Sequence, residues 1–141
     1  MVGVRLSEAE ARERMAAAPV ARLGTADARG RPHIVAVTFA VDGDRVYTAV
    51  DAKPKTTPNL KRLRNIAENP LVTVFADHYE DDWRELWWVR ADGNASVLDG
   101  AQRVKGPIGM LVSRYAQYRD TPPEGPVIAV RVERWTGWSA A

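Results

Sequence analysis

Five cations set around a helix start are the most chemically specific feature of the chain. Between Asp51 and Glu68 stand Lys53, Lys55, Lys61, Arg62 and Arg64, with no acid among them. Thr57 is placed to cap a helix that opens with Pro58. Leu60, Leu63, Ile66 and Ala67 share one side of it, and Asn69 and Pro70 end it. Lysines just ahead of a helix N-terminus add to the positive potential of its free N–H groups, so they cost stability unless an anion answers them. The chemistry that fits is capture of a phosphate. Lys53 and Lys55 supply charge, Thr56, Thr57 and Asn59 supply hydrogen bonds, and Arg62 reaches the same anion or a longer anionic tail. Lys61, Arg62 and Arg64 also read as an ordinary solvated helix face.

Little else can carry a reaction by itself. The chain has two histidines, His33 and His78, no cysteine, no Gly-x-Ser-x-Gly elbow, no Walker loop and no metal-ligand spacing. No catalytic side chain and no metal ligand is therefore assigned, and any redox reaction needs a bound cofactor. His33 heads a strand after Pro32, with Val35, Val37 and Phe39 on its face, and suits contact with a ligand lying along that strand. His78, beside "YEDD", reads as a loop residue. Three of the five tryptophans fall in "DWRELWWVR". On a strand, Trp83, Trp87 and Val89 share one face, and Arg84, Leu86, Trp88 and Arg90 share the other. Aromatic mass on both faces implies that the outer one is covered, by a second subunit or a flat ligand, and Trp135 and Trp138 extend that surface.

These residues must be positioned by a domain of modest size. With 141 residues, 45% of them hydrophobic, the chain reads as one domain over residues 1–141. A net charge of +2 gives no reason to expect a nucleic-acid partner. The mixed-charge N-terminus has no apolar run for a membrane, and the lack of cysteine suits a reducing compartment, so a cytoplasmic protein is expected. Ser7 and Glu10 form a capping box for a helix running to about Ala17. "VARLGTAD", "PHIVAVTFAV" and "RVYTAV" read as three successive strands, an antiparallel meander turned at "ARG" and "DGD". "LVTVFADHY" and "LWWVRADGNASVL" follow as strands, then a helical region from Ala101 to Tyr118 interrupted by "GPIG", then a last strand "PVIAVRVERWTGW". Six strands with helices elsewhere favour a closed or half-open antiparallel barrel.

The run "RPHIVAVTFAVDGDRVYTAVDAKPK", "TTPNLKRLRNIAENP", "LVTVFADHY" resembles the split-β-barrel flavin and deazaflavin oxidoreductases, the superfamily that includes pyridoxamine 5′-phosphate oxidase. Within it, "EDDWRELWWVRADGNASVL" resembles an actinobacterial subgroup of coenzyme F420-dependent enzymes. The resemblance implies a mainly β, six-stranded antiparallel split barrel with flanking helices. It also implies a homodimer with two cofactor sites at the subunit interface, and hydride transfer between F420 and a small organic acceptor. Carried over by position, Pro32, His33, Val35 and Thr48 line the cofactor ring. Lys53, Lys55, Thr56 and Asn59 hold its phosphate, Arg62 assists on the tail, and Trp88 and Arg90 come from the partner chain. FMN is the alternative cofactor, and binding of a cofactor or tetrapyrrole without turnover is the alternative function. Pyridoxamine phosphate oxidases hold their substrate with a C-terminal arginine-rich segment, whereas this chain ends "VRVERWTGWSAA", which argues against that substrate. The cations from Lys53 to Arg64 exceed the need of one phosphate, which favours a deazaflavin with a glutamate tail over FMN.

Overall fold

The computed structural model describes residues 2–50 and 60–140. Lys53, Lys55, Thr56 and Asn59, and the Thr57–Pro58 helix start, lie outside the described residues. The elements run β1 (Val4–Arg5), α1 (Glu8–Ala17), β2 (Ala21–Ala26), β3 (Pro32–Val37), β4 (Ala40–Asp42), β5 (Arg45–Ala49) and α2 (Lys61–Glu68). Then come β6 (Leu71–His78), β7 (Trp87–Leu98), α3 (Ala101–Arg114), α4 (Gln117–Asp120) and β8 (Val127–Ser139).

The strands form one antiparallel sheet in the order β3-β2-β6-β7-β8-β5-β4, with β1 paired to the end of β8. β3 and β4 are the two ends of this path, yet only Thr38 and Phe39 join them. Seven strands laid flat span about 29 Å, whereas the three Cα steps from Val37 to Ala40 cover at most about 11 Å. The sheet must therefore curl until its margins meet, which is the expected barrel.

The expected meander is corrected by the same fact. "PHIVAVTFAV" is not one strand, because Thr38 and Phe39 leave the ladder, and the hairpins β2–β3 and β4–β5 sit at opposite margins. With that split and the short β1, the described residues hold eight strands rather than six. The corner is held by side chains. Phe39 N–H donates to Tyr115 Oη at 3.1 Å, and Phe39 C=O accepts from Arg114 Nη1 at 2.8 Å. Thr38 C=O accepts from Thr48 Oγ1 at 2.8 Å, and the Thr38 and Tyr118 hydroxyls are 2.7 Å apart. These side chains satisfy backbone groups that the ladder no longer serves.

Other elements follow or amend their local signals. α1 carries the full capping box between Ser7 and Glu10, and buries Ala11 and Met15. α3 runs through "GPIG" without the expected interruption, and the break falls at Tyr115 and Ala116. Burial of Val104, Pro107 and Leu111 along one side outweighs the poor propensity of Gly and Pro. Among the described residues α2 runs from Lys61, with Leu60 at its N-cap position. It places Ile66 and Leu63 on the core, with Ala67 left exposed.

The segment Trp83–Glu85 is a 3₁₀ turn in which Asp82 accepts from the Arg84 N–H at 3.1 Å. Trp83, Arg84 and Leu86 therefore precede the strand instead of sharing its faces. From Trp87 the expected alternation holds, with Val89 buried inward and Trp88 and Arg90 outward. His78 is the last residue of β6 rather than a loop residue, stacked on Trp87 at 6.2 Å. No helix among the described residues is long and apolar enough to cross a membrane.

Candidate functional site

A cavity of about 780 Å³ among the described residues is a groove on the outer face of β3, β2, β6, β7 and β8. Pro32, Ile34, Leu71 and Val72 give it apolar walls, and Ile34 and Leu71 are 67% and 62% exposed. Gly24 puts no side chain on its floor, and Gly93 also lines it.

The β7–β8 end depends on a break in strand register. Asp92 pairs with Arg134 and Gly93 with Val132, so Glu133 is an extra residue in β8, a β-bulge. Glu133 and Arg134 are consequently both exposed on the outer face, while Trp135 turns inward. Trp135 Nε1–H donates to Asp44 at 3.0 Å, so it does not extend the outer tryptophan surface as expected; Trp138, opposite Trp88, does. The bulge brings the β8 backbone so close that any Cβ at Gly93 would overlap the Arg131 carbonyl.

The two acids at this end already have partners. Asp92 accepts from Thr73 Oγ1 at 2.7 Å and from Arg90 Nε at 3.2 Å, and Glu133 accepts from Asn94 Nδ2. Arg134 has no ion pair or hydrogen bond among the described residues.

At the other end the β2–β3 hairpin, which supplies Thr25, Ala26, Pro32 and His33 to the groove, also packs against α2. Lys61, Asn65 and Glu68, at i, i+4 and i+7, form one polar helix face against the β2–β3 hairpin. Lys61 lies 3.8 Å from Asp27, Asn65 Nδ2 donates to Thr25 Oγ1 at 3.0 Å, and Glu68 accepts from the Ala28 N–H at 3.1 Å. Asn65 is 0% exposed and Thr25 lines the groove, so one buried hydrogen bond links the cationic helix to the cavity. Asp27, 4% exposed, accepts from the Arg31 N–H, Arg31 Nε and the Arg29 N–H, and the Arg31 bonds foremost push its carboxyl down to about 2. Arg62 and Arg64 have no ion pair among the described residues.

The structure brings some of the anticipated residues together and not others. Pro32 and His33 line the groove, and His33 Nδ1 is buried without a partner. Val35 instead packs inward on the core, and buried Thr48 is engaged by the barrel corner, so neither reaches the groove. Arg62 is half-buried on α2. Trp88 and Arg90 share the groove's outer face: the Arg90 guanidinium lies 5.3 Å from the Trp88 ring, and Phe75 stacks on Trp88 at 6.0 Å.

Thr25, Asp27, Asn65 and Arg134 were not anticipated. For Arg134 a signal exists in "VERW", where two apolar residues three apart break the period of two. For Asn65 it is the i, i+4 spacing to Lys61.

The sequence model of one protein family, described as pyridoxamine 5′-phosphate oxidase, matches residues 7–139. A FAD-binding protein from Mesorhizobium loti superposes with a TM-score of 0.80 at 22% identity over 100% of both chains. A FAD-binding protein from Mycobacterium smegmatis gives 0.62 at 18% identity over 97% of both. The heme storage protein HutZ from Vibrio cholerae gives 0.68 at 17% identity over 89% of this chain and 87% of that one. These likenesses show a shared fold. No curated protein matches the chain in sequence.

Proposed function

This chain belongs to the pyridoxamine 5′-phosphate oxidase family, and on that premise we propose that it is an oxidoreductase using the deazaflavin F420. The observation that carries the reading is the Asn65–Thr25 hydrogen bond, which ties α2, whose Arg62 and Arg64 have no ion pair among the described residues, to a residue that lines the apolar groove. A flavin-type cofactor has the matching shape, a flat ring joined to an anionic tail.

The residues present fit such a group. Apolar Pro32 offers the ring a surface, and His33 offers an imidazole whose buried Nδ1 has no partner. Lys53, Lys55, Thr56 and Asn59 precede α2 in sequence and are assigned to the phosphate, with Arg62 and Arg64 answering a longer anionic tail. Such a tail distinguishes F420 from FMN, which is why the surplus of cations favours the deazaflavin. The cofactor, when bound, supplies the hydride chemistry, so the protein binds, orients and excludes water and needs no acid–base side chain. The aromatic outer face of Phe75, Trp88 and Trp138 is assigned to contact with a second copy, in a homodimer that completes each site.

Side-by-side titration of the purified protein with F420, FMN and hemin tests the reading. F420 is expected to bind with a change in fluorescence polarisation that is lost in Lys55→Ala. FMN binding alone would leave the enzyme class and overturn the deazaflavin. A heme absorption band with no response to either flavin-type cofactor would overturn both.

A further inference from the structure

Beyond the cofactor site, we infer that the β7–β8 end of the groove is a subsite for the anionic head of a flat, apolar acceptor, with Arg134 as its counter-charge. The inference rests on the proposed function only in calling the ligand an acceptor. Its first support is the bulge at Glu133. An unbroken period of two would send Arg134 inward with Val132 and put Trp135 outside; the extra residue reverses both and delivers the guanidinium to the groove.

The second support is charge. Asp92 is paired with Arg90 and accepts from Thr73, and Glu133 accepts from the Asn94 amide, whereas the Arg134 side chain has no partner among the described residues, so the open hydrogen-bond donors at this end are those of its guanidinium. A carboxylate, sulfonate or phosphate meets it, whereas a cationic ligand does not.

The third support is the floor. A Cβ at Gly24 would meet only the Thr73 carbonyl at 3.7 Å, an ordinary contact, so packing does not require glycine there. What glycine does at that point of a central strand is keep the groove open, with exposed Ile34 and Leu71 as walls for an apolar body. The groove also crosses five strands, about 19 Å along the sheet. A ring at Pro32 and His33 leaves the β7–β8 end to a second molecule beside it.

A matched pair of probes tests this on the whole protein without cofactor: 2-naphthoate against 2-naphthamide, by calorimetry, for wild type, Arg134→Gln, Gly24→Val and Arg131→Gln. Arg131 is an exposed arginine of the same strand outside the groove and serves as the control. Wild type and Arg131→Gln are expected to prefer the naphthoate about tenfold. Arg134→Gln should bind the two probes equally, and Gly24→Val, folded by circular dichroism, should bind neither. No preference in wild type, a preference that survives Arg134→Gln, or no binding of either probe overturns the subsite.

In parallel, Arg134→Gln should leave F420 and FMN affinities within twofold of wild type. A tenfold loss there would give Arg134 to the cofactor and overturn its assignment to the acceptor. Because the probes are read without cofactor, a protein that binds neither F420 nor FMN would sink the proposed function while the naphthoate preference still stood.

Discussion

The hydroxyl of Tyr115 lies 3.1 Å from both the N–H and the C=O of Phe39, accepting from one and donating to the other. One side chain thus serves a residue that has left the sheet ladder, 76 positions away in sequence. Tyr115→Phe keeps the ring and removes both bonds, leaving the Phe39 N–H without a partner. It is expected to lower unfolding free energy by about 1–3 kcal/mol, measured by urea denaturation. A loss indistinguishable from zero would mean that the corner holds itself.

Gly93 makes a sharper demand. Its would-be Cβ points at the Arg131 backbone, which cannot swing aside as a flexible side chain can. Gly93→Ala should cost about 3 kcal/mol or force the bulge to move. In the second case Trp135 would leave the core, and its fluorescence would shift to the red. An unchanged midpoint together with unchanged fluorescence contradicts the register.

The depressed carboxyl of Asp27 couples stability to acid. Because its folded value of about 2 is below the ordinary aspartate value of 3.8, its contribution is present above 3.8 and is lost as pH falls through about 2. Wild type should therefore be more stable than Asp27→Asn at neutral pH, with the gap closing between pH 3.8 and about 2. Urea midpoints of both proteins across that range check the window. A gap that stays constant down to pH 2 would remove Asp27 as its source.

The proposed homodimer predicts an effect at Trp88. Replacing it by Asp puts a charge on the half-buried aromatic face between Phe75 and Trp138. Sedimentation equilibrium should show about twice 15.6 kDa for wild type and 15.6 kDa for Trp88→Asp. Equal masses would place the subunit contact elsewhere or show that the chain is monomeric.

Much of the architecture is legible along the chain, because it is written in local rules. The Ser7–Glu10 box starts α1, and the turn at Gly43, with its φ of 58°, closes the β4–β5 hairpin. Alternation from Trp87 sends Val89 inward and Arg90 outward. Each involves residues within a few positions of one another, so side-chain chemistry and backbone sterics decide it before any tertiary contact forms.

The resemblance assigns Pro32, His33, Val35 and Thr48 to one cofactor ring; the structure has Pro32 and His33 lining the groove, Val35 packed on the core and Thr48 bonded to the Thr38 carbonyl. Alternation says which residues share a face, but not which strand will lie beneath them.

What the order of amino acids determined by itself is therefore the kind and polarity of each segment, including a cationic helix next to alternating strands. Only the tertiary structure decided that β3 and β4 part at Phe39, that Asn65 reaches Thr25, and that a one-residue bulge turns Arg134 toward the groove. Those outcomes depend on strand pairings and helix contacts between residues some 40 to 80 positions apart. The free energy of such contacts belongs to the assembled barrel, and no single segment carries it.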